Sequence, residues 1–247
     1  MATAIHDGHA VRSEIGGLFA ISDAERLREE DPFTGYLIRD VPNRAVVHRS
    51  RFEVDMNRAA AEAVYVRPEQ SWGLKVWKDR LGEDVVDRSL ALHAAFYNSL
   101  ESMLTGIERQ HGGFVVLDVH SYNHRRKGPD APPTDPELAP EINIGTFTLA
   151  RDRWEHVLRP FVDALRGHEL DGRKLDVRLD VAFQGKGELA RFVHDRFPQT
   201  GCALAVEFKK FFMDEWTGEP YLKVLDSLRS LVASTLPVLE ASLRKGR

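Results

Sequence analysis

The apolar positions of this chain follow two rhythms, and their alternation predicts an α/β layer architecture. Short apolar runs bounded by turn residues read as strands: Ala2–Ile5 ending at His6, Ala45–His48, Phe114–Val119, Leu175–Val181 and Ala203–Glu207. The run at 114–119 follows Gly112-Gly113 and is apolar on both faces, as expected of a central strand. Phe52–Met56 reads as a further short strand. Helical spacing governs residues 80–109, where Leu81, Val85, Leu92, Phe96, Leu100 and Leu104 recur, and again 151–166, 187–197 and 221–244. Ser22-Asp23-Ala24-Glu25 has the form of a capping box that opens a shorter helix. That helix should stop near Glu30, because Pro32 disfavours helical backbone at Asp31. Residues 124–140 read as loop, and their basic, proline-rich part at 124–137 is long enough to be a lid. No repeat or low-complexity linker divides the chain, so residues 1–247 read as one domain.

Composition narrows the classes of function. Thirty-four basic and 38 acidic residues leave a net charge of −4, which gives no global attraction to nucleic acid or to an anionic membrane surface. An anionic substrate would therefore need a local basic patch. The single cysteine, Cys202, sits in an apolar run, reads as an inert buried thiol, and excludes both an intrachain disulfide and a paired-thiolate zinc site. No signal peptide or membrane-length apolar window is visible, so a cytoplasmic location is the default expectation.

Chemistry gathers where polar residues interrupt strand ends, the place where open α/β sheets collect ligands. Three strands end in capable groups: His6, His120 and Glu207. A catalytic zinc takes three protein ligands, commonly two imidazoles and a carboxylate, with a position left open. His6 and His120 supply the imidazoles, and Asp118, two residues before His120 on the same strand face, could orient its ring. Glu30 and Asp31 are both candidates for the carboxylate, and acidic groups at a helix C-terminus oppose its dipole. His9 is an additional candidate ligand. In an extended segment Arg51, Glu53, Asp55 and Asn57 would share a face; two arginines, Arg51 and Arg58, with Asn57 could bind a substrate carboxylate and polarise a carbonyl. Glu207, at the end of a buried strand, is either a general base or the partner of Lys209, Lys210 or an arginine. Gly185 and Gly187 precede a helix and could expose backbone N–H groups to an anion; the spacing is not that of a nucleotide loop.

Taken in order, these segments resemble the N-formylglutamate amidohydrolase family over nearly the whole chain. Ile5-His6-Asp7-Gly8 is similar to its Pro-His-Ser-Gly, Ser50 through Arg58 to its Ser-Arg…Asp-Leu-Asn-Arg, and Asp118-Val119-His120-Ser121 to its Asp-X-His-Ser. Ile142–Thr146, Phe183–Gly187, Ala205-Val206-Glu207 and Phe212–Glu215 resemble later family stretches. The resemblance implies a mixed central sheet flanked by helices, in a three-layer sandwich like that of zinc carboxypeptidases. It implies one Zn²⁺ on His6, His120 and either Glu30 or Asp31, with Arg51 stabilising the oxyanion. Asn57 and Arg58 would grip the substrate carboxylate, and Glu207 would activate water and protonate the leaving amine. The implied reaction is hydrolysis of the amide of a small N-acyl amino acid such as N-formylglutamate. The chain departs from the pattern at Ile5, Asp7, Gly35 and Lys186, positions that bear on the substrate more than on the reaction class.

Two other readings use the same residues: a zinc peptidase or carboxypeptidase on short peptides, and a non-enzymatic binding module with a degenerate site. The expected partner is a small anionic substrate, with no nucleic acid and no membrane, and the sequence allows a homodimer.

Overall fold

The computed structural model describes residues 1–245. Eight strands and seven helices are set in the order β1 (Ala2–Ala4), α1 (Ser13–Gly16), α2 (Asp23–Glu29), α3 (Thr34–Leu37), β2 (Arg44–Val46), α4 (Glu83–His111), β3 (Phe114–Tyr122), β4 (Ile142–Gly145), α5 (Arg151–Gly167), β5 (Glu169–Leu170), β6 (Arg173–Lys174), β7 (Val177–Leu179), α6 (Glu188–Arg196), β8 (Gly201–Lys209) and α7 (Leu222–Lys245). Six strands form one sheet in the order β2-β1-β3-β8-β4-β7. All neighbours run parallel except β8 and β4, so the sheet is mixed, as expected.

Strand periodicity divides the core into two layers, because successive side chains leave opposite faces. On β3, Val115, Leu117 and Val119 face one way; on β8, Cys202, Leu204, Val206 and Phe208 do the same. There they meet Trp154, Leu158 and Phe161 of α5 and Leu228, Leu231 and Val232 of α7. Phe114 and Val116 with Ala203 face the other layer, built from Tyr97, Leu100 and Leu104 of α4 and Leu189 and Val193 of α6. A satellite core lies beneath the long segment between β1 and α4, where Phe19 stacks on Trp77 at 4.4 Å with Ile15, Phe52 and Tyr65 around them. The buried free Cys202 belongs to the first layer. No helix among the described residues is long and apolar enough to cross a membrane.

Several elements differ from the expectation. Phe52–Met56 is a run of turns rather than a strand, with the N–H groups of both Glu53 and Val54 turned back to the Ser50 carbonyl. The expected 175–181 strand shortens to β7, preceded by a β5–β6 hairpin whose Asp171 and Gly172 both take positive φ (51° and 77°). Asp-Gly in that conformation matches the twist of the flanking strands. β4, unread as a strand from its four residues, pairs with both β7 and β8. The long helix α4 stops where expected of a left-handed glycine, Gly112 at φ 69°.

One close approach fixes the exit of β1. A Cβ on Gly8 would collide with the backbone of His48, which runs beside it. Gly8→Ala should therefore lower the stability of the fold by about 1–3 kcal/mol, the usual range for overpacking, read as a fall in the urea midpoint at unchanged m-value.

Candidate metal centre and active-site cleft

The parity of the sheet decides which polar side chains meet. Asp118 and His120 lie on the same face of β3 as Val116, and Glu207 on the same face of β8 as Ala203. His120 and Glu207 are register partners on adjacent parallel strands, at the carboxyl ends of both. His6 follows β1, whose Thr3 pairs with Asp118. The carboxyl ends of three neighbouring strands thus open into one cleft of about 800 Å³.

At its floor three buried donors converge. His120 Nδ1 lies 3.2 Å from His6 Nδ1 and 3.2 Å from Asp31 Oδ2, and His6 Nδ1 lies 3.4 Å from the same carboxylate oxygen. Each imidazole is anchored from behind through its other nitrogen. His6 Nε2 meets Asp55 Oδ1 at 2.6 Å, and His120 Nε2 meets Asp118 Oδ2 at 2.9 Å. Those carboxylates can only accept, so each Nε2 donates and each Nδ1 turns a lone pair to the centre. Thr3 Oγ1 donates to Asp118 Oδ1 at 2.8 Å and holds that carboxylate in place. The donor triangle matches a tetrahedral cation: ligand bonds of about 2.0–2.2 Å give edges of about 3.3–3.6 Å. Among the described residues, His6, Asp31 and His120 form a group whose donors could hold a metal ion.

The charges around the triangle act in the same direction. Burial disfavours the His120 imidazolium, yet the Asp118 and Asp31 carboxylates hold it well above the ordinary histidine range. Asp31 is held well below the usual carboxylate range, against its burial, by hydrogen bonds from His120 and His6. A positive charge belongs at this point, carried by a proton or by a metal.

The two candidates for the carboxylate separate cleanly. Glu30 caps α2 in extended backbone (φ −77°, ψ 174°), so its side chain and that of Asp31 leave in different directions. The Glu30 carboxylate accepts from Ser50 Oγ and meets His9 Nδ1 at 2.6 Å. Glu30 and His9 thus pair with each other outside the triangle, and the centre receives Asp31 alone.

Glu207 stands beside the triangle without a partner: no described residue hydrogen-bonds or ion-pairs its carboxylate. The salt bridge that might have neutralised it is absent among the described residues, since Lys209 Nζ binds the Ala139 carbonyl and Lys210 Nζ those of Arg28 and Glu30. Enclosure by protein pushes the Glu207 carboxyl up to about 7, with Asp31 and Asp118 adding to the effect and His120 opposing it. A carboxyl group near 7 can give and take a proton at neutral pH.

The 51–58 segment, folded as turns, brings its charges to the cleft differently from an extended strand. Asp55 is its hub: Oδ1 accepts from His6 and from the Asn57 N–H, while Oδ2 accepts from Arg51 Nη2 at 2.8 Å and from the Tyr65 hydroxyl. Arg51 lines the cleft, held by Asp55 and lying over the Trp72 ring at 4.9 Å. Arg58 also lines it, with its side chain 45% exposed, Asp55 no nearer than 4.0 Å and one long bond to the Gln70 carbonyl at 3.5 Å, so its guanidinium keeps donors for an anion. Asn57 departs from the expected carboxylate grip. Its Oδ1 accepts the Leu189 N–H at 3.2 Å and its Nδ2 lies 3.3 Å from His120 Nε2. Gly185 and Gly187 line the cleft, but as close-approach glycines: a Cβ on Gly187 would strike the Asn57 amide, and one on Gly185 the Gly145 backbone. The anion site expected at the start of α6 is taken, since Asn57 accepts from both Glu188 N and Leu189 N.

The sequence alone did not single out Asp55 as the support of His6, Trp72 as a wall, or Asn143. Asn143, fully buried, accepts from the N–H groups of Val181 and Ala182 and donates to the Phe183 carbonyl, shaping the loop opposite Glu207. Nothing local in the sequence marks the left-handed φ of Trp72 (55°) or its half-exposed indole. From the 124–137 loop, Arg126 reaches the cleft and Glu29, and the loop's first N–H groups, at His124 and Arg125, donate to Glu215.

Removing Asp55 would leave the largely enclosed Arg51 guanidinium and the buried His6 ring without their acceptor. Asp55→Ala should cost about 3–5 kcal/mol in urea unfolding, whereas Arg191→Ala, which breaks exposed pairs with Glu188 and Asp195, should cost at most about 1 kcal/mol.

The chain's relatives carry the same fold. The family profile described as N-formylglutamate amidohydrolase matches residues 1–212. The crystal structure of N-formylglutamate amidohydrolase from Ralstonia eutropha JMP134 superposes with a TM-score of 0.72 at 16% identity, covering 100% of this chain and 94% of that one. A gene product of Agrobacterium tumefaciens superposes with a TM-score of 0.65, also at 16% identity, covering 97% and 91%. At such identity these two likenesses are of fold. No curated protein sequence matches the chain. The profile takes in His6, Asp31, Asp55, His120 and Glu207, and on it the chain belongs to the N-formylglutamate amidohydrolase family.

Proposed function

We propose that this chain, as one catalytic domain, is a zinc-dependent amidohydrolase that cleaves the amide of a small, carboxylate-bearing N-acyl amino acid, with N-formylglutamate as the reference substrate. The observation that carries the reading is the triangle of inward-facing donors on His6, Asp31 and His120, with an unpartnered Glu207 beside it. The family name fixes the reaction class, and the donor set suits zinc.

His6, Asp31 and His120 would hold the ion. Bound there, zinc supplies Lewis acidity, which polarises the acyl carbonyl and eases the ionisation of water. Glu207 takes the proton from the attacking water as the new C–O bond forms. It returns that proton to the amide nitrogen as the C–N bond breaks, leaving a carboxylic acid and a free amine. Arg51, fixed by Asp55, places a preorganised positive charge beside the developing oxyanion. Arg58, the freer guanidinium, receives the substrate carboxylate. The peptidase reading and the binding-module reading share the cleft; the unpaired, raised Glu207 favours an enzyme, because a decayed site gains nothing from such a group.

Glu207→Gln should retain zinc and lower kcat on N-formylglutamate by roughly 10²–10⁴-fold, the usual contribution of a general base, in a steady-state assay with metal content measured on the same sample. His120→Ala should lose the metal. Zinc at normal occupancy in His120→Ala, or full turnover in Glu207→Gln, would overturn the assignment. Binding should also release protons. The Asp118 and Asp31 carboxylates hold the His120 ring above its ordinary range, and a metal takes only the neutral ring. Zinc affinity should therefore fall as pH falls, and calorimetry in buffers of different ionisation enthalpy should register about one proton released per site.

A further inference from the structure

Lys210 is a buried cation that the hydrolytic chemistry leaves unused. It lies three residues beyond Glu207, at the exit of β8, and is 1% exposed. No carboxylate stands within ion-pair distance of it among the described residues. Its Nζ donates instead to two backbone carbonyls, Arg28 O at 2.6 Å and Glu30 O at 2.7 Å. Burying an ammonium group without a counter-ion is costly, and the cost is tolerated only where the donors are needed.

Those carbonyls lie at the C-terminus of α2, where a helix leaves its last carbonyls without internal partners. The next residue is Asp31. Its backbone N–H donates to the His6 carbonyl at 2.9 Å, and its carboxylate faces both histidines. The same turn is gripped elsewhere too: Asn123 Nδ2 shares the Arg28 carbonyl at 2.9 Å, and Arg51 Nη1 approaches that of Glu29 at 3.4 Å. Lys210 holds the carbonyl adjacent to the ligand, and it does so from the strand that delivers Glu207.

We propose that Lys210 is the positioning residue of the metal centre: by clamping the Arg28 and Glu30 carbonyls it sets the turn that presents Asp31 to His6 and His120. The inference rests on the reading of that triangle as a metal site. A cap that served only helix stability could use any exposed lysine; this one is buried between the strand end and the turn at the wall of the cleft, where a shift of the Glu30 carbonyl moves Asp31 with it. One strand end thereby supplies both the proton carrier and the clamp on the ligand.

The test is zinc affinity of the metal-stripped full chain, titrated against a chromophoric chelator, with the cobalt(II) absorption spectrum as a reading of ligand geometry. Lys210→Met keeps the straight stem and removes the donors. It should bind zinc about 10–100-fold more weakly, the range for losing an outer support of a metal ligand, and should alter the cobalt spectrum. Lys209→Met, one residue away with its ammonium on the Ala139 carbonyl, should leave both unchanged. Lys210→Arg serves should the methionine variant fail to fold: its planar fork keeps the charge but not the two-carbonyl grip, and it too should weaken zinc. A folded Lys210→Met or Lys210→Arg with wild-type zinc affinity and cobalt spectrum overturns the positioning role alone, even if its melting temperature falls. A wild-type chain that binds neither zinc nor cobalt overturns the metal reading and this inference with it.

Discussion

Three lone pairs pointed at one another across little more than 3 Å are unfavourable unless something positive lies between them, and the architecture of this protein is arranged to hold that configuration. Asp55 and Asp118 enforce it from outside by fixing both imidazoles with Nε2 as donor. Thr3, Arg51 and Tyr65 in turn fix those carboxylates. The Asp118 and Asp31 carboxylates raise the affinity of the His120 ring for a proton against its burial, so the surroundings favour positive charge at this point.

The sheet makes the convergence possible, because β1, β3 and β8 are adjacent and parallel and point their carboxyl ends the same way. Strands alone would deliver His6, His120 and Glu207. The third member of the triangle, Asp31, comes from irregular backbone at the end of α2, and the support for His6 comes from the turns at 51–58, packed over a satellite core. Such segments have no ladder of hydrogen bonds to hold them. They are secured instead by side chains acting on backbone: Lys210 and Asn123 on α2, Asn57 on α6, Asn143 on the 181–183 loop. Buried polar groups of this kind impose one geometry, because any other leaves them unsatisfied.

The cleft combines this negative floor with cations at different degrees of restraint. Arg51 is locked to Asp55, Arg126 leans on Glu29, and Arg58 is held by little. A fixed charge suits a transition state that always develops at the same point, and a free one suits a substrate group that arrives from solvent. The same reasoning separates Asn57 from Arg58: the two are neighbours in sequence, yet one is consumed as a helix cap and the other faces the opening.

What the sequence determined by itself was the part governed by periodicity and local chemistry. The apolar runs at 114–119 and 203–207, the long amphipathic stretches that became α4, α5 and α7, and the capping box at Ser22 are all short-range signals, and the strand ends named His6, His120 and Glu207 as chemically exposed. Tertiary structure decided what depends on direction. Adjacent carboxylates at 30 and 31 are equivalent in sequence, and only the extended backbone at Glu30 turns one to Ser50 and the other to the histidines. The 51–58 segment alternates like a strand, but the buried Asp55, which must find donors on several sides, folds it into turns. Gly185 and Gly187 read as an anion loop until Asn57 is seen occupying the helix end they precede. For Glu30 and Asp31, and for the two glycines, the deciding partner lies twenty or more residues away, and a hydrogen bond between distant residues leaves no trace in local pattern.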